Sequence, residues 1–309
     1  MKRGIAGLIT LFLVSVLTFG AFNLIPGDPA VMILGIDADE AQIRAMRSDL
    51  GLDRSLPARY TVWLGGFLTG DLGNSVRFRG EPIRELVLER LPVTFTLAAF
   101  ALALIFAIAL PVTFFSVVKE HSLFDRFVTA CTTLTISTPN FFLGVLFIWI
   151  FGVILRFFTP GFYVPYQENP SGFLAYLFFP ALAIAIPNAA MVIKFLRASI
   201  FQELRSDYVR TAYSKGASEG IILSRHVLRN AAGPSITLLG MIIGDIFSGS
   251  IVIEQVFTIP GIGRLLIASI ASRDYPLAQT LVVYIGFIVV LANTLGDLGV
   301  RLMDPRIRG

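Results

Sequence analysis

Five stretches of this 309-residue chain contain no Asp, Glu, Lys or Arg: Gly4–Gly27, Leu91–Val118, Phe127–Leu155, Asn169–Ile193 and Tyr275–Gly296. Each is long enough to cross a hydrocarbon core of about 30 Å as a helix. A sixth stretch, Asn230–Ile253, is interrupted only by Asp245. With 55% hydrophobic residues, 15% charged residues and a mean hydropathy of +0.76, an ordinary soluble globule is excluded. The sequence therefore reads as an all-α membrane protein with six transmembrane helices. Its net charge of +4 fits cytoplasmic loop charge better than nucleic-acid binding, and no nucleic-acid partner is expected. Cys131, the sole cysteine, falls inside a span and permits no internal disulfide.

If the six spans alternate from a cytoplasmic N-terminus, fourteen Lys and Arg fall on the cytoplasmic side, while the two short opposite loops hold only Arg264 and Arg273. That asymmetry places both termini in the cytoplasm. Lys2 and Arg3 followed by an apolar run could open a signal peptide, but the run is long and lacks a small-x-small cleavage site. It reads as a retained first helix at 1–25. An extracytoplasmic helical cap follows at 26–92, then a five-helix core at 93–309.

Two segments outside the spans have internal structure. In the first, Asp39 and Gln42 form a capping-box pattern and Gly51 is placed to end the helix. Ser55 and Pro57 open a second helix with Tyr60, Trp63, Leu64 and Phe67 on one face, and Gly70 to Ser75 is a turn cluster. Glu81-Pro82 begins a third short helix. The aromatic stripe fits packing of the cap onto membrane helices; the segment as a whole, with Trp63, Asp71 and Asn74, is the candidate for docking an external partner. The second segment is the cytoplasmic loop at about 201–234. Asp207 to Ser214 can form a short helix ended at Gly216, and Ile221 to Asn230 a second amphipathic one. Together they make a projecting knob.

Asp245 is the one acid well inside a span, where a charge costs roughly 2.5–3.5 kcal/mol on insertion scales. It is expected to face an aqueous path or a partner helix, with Gly240, Gly244 and Gly249 allowing close backbone approach. Glu254 lies at the other end of the same span, before a Pro260-Gly261-Ile262-Gly263 turn that it is placed to brace. Pro111, Pro139, Pro180 and Pro187 interrupt spans and are expected to kink them. Gly216-Ala217-Ser218-Glu219-Gly220 fits a hydrolase nucleophile pattern. Its flanks are helical and basic, and the only histidines, His121 and His226, lie in loops, so catalysis and an intrinsic metal site are not expected. No phosphate loop for a nucleotide is present. An ion-gradient-driven secondary transporter using Asp245 is the alternative of a different class; no internal repeat supports it.

Several ordered signatures carry a closer likeness: Pro26-Gly27-Asp28-Pro29, Gly70-Asp71-Leu72-Gly73-Asn74-Ser75, Ser137-Thr138-Pro139-Asn140-Phe141, and Asp207-Tyr208-Val209-Arg210-Thr211-Ala212 with Lys215-Gly216. Glu254-Gln255-Val256-Phe257, Pro260-Gly261-Ile262-Gly263-Arg264, Asp274-Tyr275-Pro276 and Met303-Asp304-Pro305-Arg306 complete the order. The chain resembles the permease subunits of binding-protein-dependent ABC importers, in the branch handling dipeptides, oligopeptides and nickel. That resemblance implies the type I permease fold in a bacterial inner membrane and a transport subunit rather than an enzyme. It implies a second homologous permease, two ATP-binding subunits, an extracytoplasmic substrate-binding protein and surrounding lipid as partners. ATP and Mg would sit on the partner subunits and no cofactor on this chain. The loop then corresponds to the coupling motif, with Gly216 as its glycine, Ala212 as its last alanine, and Arg210 and Thr211 in the first two places. The coupling residues so implied are Asp207, Tyr208, Arg210, Thr211, Ala212, Lys215, Gly216, Ala217, Glu219, Arg225 and Leu228. Those for the translocation pathway or subunit interface are Asp245, Gly244, Ser248, Glu254, Pro139 and Asn140. Peptide is the expected substrate, nickel or a metal chelate the alternative within the same architecture.

Overall fold

The computed structural model describes residues 2–25, 29–34, 38–49, 51–78 and 80–303. The helices, in chain order, are α1 (Lys2–Leu24), α2 (Pro29–Leu34), α3 (Glu40–Asp49), α4 (Leu56–Thr69), α5 (Ile83–Val118), α6 (Leu123–Ile136), α7 (Asn140–Phe147), α8 (Pro170–Leu204), α9 (Asp207–Ser214), α10 (Glu219–Ile221), α11 (Leu228–Val256), α12 (Ile262–Ala271) and α13 (Tyr275–Met303). The motif positions Pro26 to Asp28 and Asp304 to Arg306 lie outside the described residues, as do the side chains of Glu219 and Arg225. Within α1, α5, α8, α11 and α13 are five stretches long and apolar enough to cross a membrane.

The remaining apolar run, Phe127–Leu155, is not one helix. α6 and α7 meet at a 104° bend over Ser137 to Pro139. Proline lacks the N–H that would continue the ladder and disfavours helical geometry in the residue before it. The orphan carbonyls are met by side chains instead: Ser137 Oγ donates to Thr133 O at 3.1 Å and Thr138 Oγ1 to Leu134 O at 2.9 Å. Pro111, Pro180 and Pro187 lie inside α5 and α8 and end neither helix. The short helix expected after Glu81-Pro82 is the start of α5, a 36-residue helix. Its buried positions Ile83, Val87, Thr94, Leu97, Ala101 and Ile105 keep helical phase across Pro92, so a single face holds it together.

The chain divides into two compact units, Met1–Pro92 with Leu265–Val290, and Val93–Arg264 with Leu291–Gly309. In the first, the aromatic stripe of α4 packs on α1: Phe19 lies 5.4 Å from Tyr60 and 5.7 Å from Trp63, and Ser15 shares a 2.8 Å hydrogen bond with the Tyr60 hydroxyl. Phe67 reaches Tyr284 of α13. The turn at Gly70 to Ser75 docks on Asp274, some two hundred residues later. Ser75 Oγ donates to Asp274 Oδ2 and so does the Arg77 N–H at 3.0 Å, while Oδ1 takes the Leu277 N–H at 3.3 Å. This fully buried carboxylate thus caps α13 and ties down the turn. In the second unit α8 is central, packed against α6, α7 and α11, with Leu177, Ala181, Ile184 and Ile200 fully buried.

Candidate functional site

The α6–α7 bend opens a recess of about 530 Å³, bordered also by α8 near Pro187 and Asn188 and by one face of α11. Pro139 and Asn140, at the bend, and Asp245 and Ser248, one turn apart on α11, all line it. Four of the six residues considered for a pathway or interface therefore share one site. Gly244 sits beside Asp245 on α11 but not among the lining residues. A Cβ at Gly249 would lie 2.8 Å from Asn140 Nδ2, the end of a side chain that could shift to make room.

Glu254, the sixth, is elsewhere. It is fully buried, and Thr94 Oγ1 donates to its Oε1 at 2.7 Å. Its Oε2 takes the Arg264 N–H at 3.1 Å, and the Gly263 N–H also bonds the carboxylate. Thr94 Oγ1 in turn accepts the Ile262 N–H at 2.9 Å. One acid and one threonine thus satisfy the first N–H groups of α12, where the helix dipole also favours negative charge.

The knob is built from the end of α8 onward. α9 terminates in a left-handed residue, Gly216 at φ +79°, with Gly216 N–H donating to Tyr213 O at 2.9 Å and Ala217 N–H to Ala212 O at 3.2 Å. These two bonds are the Schellman arrangement, which favours glycine at that position. The coupling candidates divide into two groups. Asp207, Arg210, Thr211, Lys215 and Gly216 are exposed on the tip. Tyr208, Ala212, Ala217 and Leu228 pack partly buried against a core of Val117, Leu196, Ile200, Val209, Ile222 and Val227. The apolar face of the second helix is thus spent on the chain's own α5 and α8. Burial, ahead of the contact with Glu203, raises the Tyr208 phenol above its usual range, and its hydroxyl donates to Glu203 Oε2 at 2.8 Å. Tyr213 and Ile221 are exposed on the knob; periodicity counts Ile221 with the apolar face of the second helix, because it does not report which positions lack a partner.

The expected separate second helix is not separate. α10, a π-helical turn at Ile222–Val227 and α11 follow one another without a break, giving one helical rod from Glu219 to Val256. At 1.5 Å per residue, the 25 steps from Gly220 to Asp245 span roughly 38 Å.

A buried ion pair that sequence reading overlooked braces the knob's base. Arg197 of α8 meets Asp125 of α6 at 2.7 Å, with side-chain exposures of 21% and 7%. Ser116 Oγ donates to Asp125 at 2.7 Å, the His121 N–H at 3.2 Å, and Arg197 also reaches Thr129 Oγ1 and lies over Phe201. The Ser122-x-x-Asp125 capping pattern was the available signal: Ser122 caps α6 through the Asp125 N–H. Arg197→Ala leaves the carboxylate unpaired and is expected to cost roughly 3 kcal/mol or more, whereas adding Asp125→Asn should restore part of the loss. Thermal unfolding of the purified variants in detergent reads both; a single variant as stable as wild type would remove the pair from the structural framework.

Of the residues considered for docking an external partner, Trp63 faces Phe19, and Asp71 and Asn74 are exposed around the turn that Asp274 holds.

Residues 99–309 match the family described as binding-protein-dependent transport system inner membrane component, and residues 1–98 match the corresponding N-terminal family. The chain is 35% identical to a peptide transport system permease protein of Brucella abortus, covering all of this chain and 98% of that one. It is 37% identical to the glutathione transport system permease protein of Pectobacterium atrosepticum, with the same coverage. Among solved structures, a chain of the MetNI methionine ABC transporter, in inward-facing form, aligns with a TM-score of 0.60 at 19% identity, covering 73% of this chain and 99% of that one. This is a likeness of fold.

Proposed function

The chain belongs to the binding-protein-dependent transport system inner membrane components, multi-pass permease subunits of importers, and from that premise we propose that it forms part of the pathway by which short peptides enter the cell, driven by ATP hydrolysed on partner subunits. The observation that carries this reading is the rod from Glu219 to Val256. It joins an exposed knob, whose tip is free to meet a partner and whose base is packed on α5 and α8, directly to the recess at Asp245. Force on the knob becomes displacement of the recess wall, because packed elements move as bodies rather than bending continuously. Two ATP-binding subunits carrying ATP and Mg would grip this knob and that of a second homologous permease. Substrate would arrive from an extracytoplasmic binding protein at the opposite face, near Asp71 and Asn74. Relatives named for peptides and for glutathione, itself a short peptide, support peptide over nickel or a metal chelate. Family membership displaces the gradient-driven alternative.

Purification of the tagged chain in mild detergent is expected to bring with it a second permease and an ATP-binding subunit, identified by mass spectrometry. Reconstituted with the binding protein, the complex should take up peptide only with ATP. Recovery of the folded chain alone, or only with itself, would overturn the reading. The positive charges support a cytoplasmic location for both termini and the knob. In a Cys131→Ser background, Ser218→Cys should label with an impermeant thiol reagent only in inside-out vesicles and Asp71→Cys only in intact cells; the reverse pattern would invert the topology.

A further inference from the structure

We infer that the recess at the α6–α7 bend is a selectivity point for cations, in which Asp245 attracts the protonated amino group of a passing substrate. This rests on the peptide reading for the identity of the substrate, though not for the field of the recess. Asp245 lies within the apolar stretch Leu238–Val256, yet no described residue gives it a hydrogen bond or an ion pair. Such a carboxylate is costly in a membrane unless water or a cation reaches it. The recess supplies that access. The other polar side chains around it, including Ser137, Asn140, Asn188 and Ser248, are neutral, and among the described residues no Lys, Arg or His lines it. The site therefore carries a single uncompensated negative charge, which walls of low dielectric strengthen. Phe141, Met191 and Val252 line the same space, so it offers an apolar surface beside a charge. That combination suits the ammonium end and first side chain of a short peptide, and disfavours anions. A weak, sequence-tolerant attraction of this kind lets substrate enter without holding it, as a conducting path requires.

The test needs no knowledge of the natural substrate. In the purified importer, with Cys131→Ser and Ser248→Cys, reaction rates are measured with two methanethiosulfonate reagents of similar size, one bearing a trimethylammonium and one a sulfonate. After normalising to a small free thiol, the cationic reagent should react about tenfold faster, and Asp245→Asn should bring the ratio close to one. A ratio near one before that change, as when a partner's basic residue neutralises Asp245, overturns the inference. Uptake provides the second arm, with a free-amine peptide and its N-acetylated form at saturating binding protein. Asp245→Asn should lower uptake of the free-amine peptide about fivefold and spare the acetylated one. Equal loss for both peptides would assign Asp245 to packing or coupling and also overturn it. If wild-type importer moves no peptide at all, the peptide reading fails, while the thiol rates still decide the charge selectivity of the recess.

Discussion

Replacing Gly216 by valine is expected to leave the chain inserted at wild-type levels and to lower ATP-driven uptake by more than about tenfold. A β-branched residue at φ +79° is strained by roughly 1–2 kcal/mol. That strain falls on the Schellman turn, which releases the Gly216 and Ala217 N–H groups if it opens. The membrane helices depend little on this turn, because only the ends of α5 and α8, at Val117, Leu196 and Ile200, pack against the knob, while Leu177, Ala181 and Ile184 of α8 are buried away from it. Beyond its chain neighbours, no described residue comes within 4 Å of a Cβ built at Gly216, so bulk alone meets no obstacle among the described residues. Asparagine tolerates the left-handed conformation, and Gly216→Asn separates two causes. If Asn transports normally and Val does not, the turn's conformation is what matters. If Asn fails as badly while folding normally, a partner surface must press against this position. Valine transporting at wild-type rate would remove the knob from the coupling pathway. Uptake by proteoliposomes and membrane yield by immunoblot are the two readouts.

Gly263→Ala is expected to have the largest effect on stability, about 3 kcal/mol or more, seen as loss of monodisperse protein in gel filtration and a lowered unfolding temperature. A Cβ at this position would lie 2.3 Å from Ile251 Cα and 3.0 Å from Glu254 Oε2. The first obstacle is backbone of α11, which cannot rotate away. The second is a carboxylate already committed to Thr94 and to the start of α12. Glu254→Gln should cost about 2 kcal/mol, since its amide can present only one acceptor oxygen to donors that now share two. In contrast, Gly65→Ala in α4 has open space around the new methyl and should stabilise by roughly 0.5–1 kcal/mol through helix propensity. Equal stability of Gly263→Ala and wild type would mean that α11 and α12 separate easily at this turn.

The transmembrane helices were legible because burial in lipid requires long uncharged runs, and such runs stand out in any sequence. The break at Ser137 to Pro139 was half legible. Proline marked the place, but Pro111, Pro180 and Pro187 carry the same mark without ending their helices. What separates them is the company each proline keeps: Ser137 and Thr138 supply hydroxyls to the carbonyls that a broken helix leaves behind. The motif residues Asp274 and Ser75 were visible as separate signatures, whereas their hydrogen bond was not, since nothing local specifies a contact across two hundred residues.

By itself the sequence determined where the lipid-crossing helices lie, that a glycine must end α9, and that Asp245 is a charge needing an explanation, all through local rules of hydrophobicity, turn geometry and desolvation. Tertiary structure alone decided that the knob and the recess share one rod, that Asp125 and Arg197 lock its base, and that Pro139, Asn140, Asp245 and Ser248 converge. Those outcomes depend on which helix faces pack together, a property of non-local burial that no window of sequence contains.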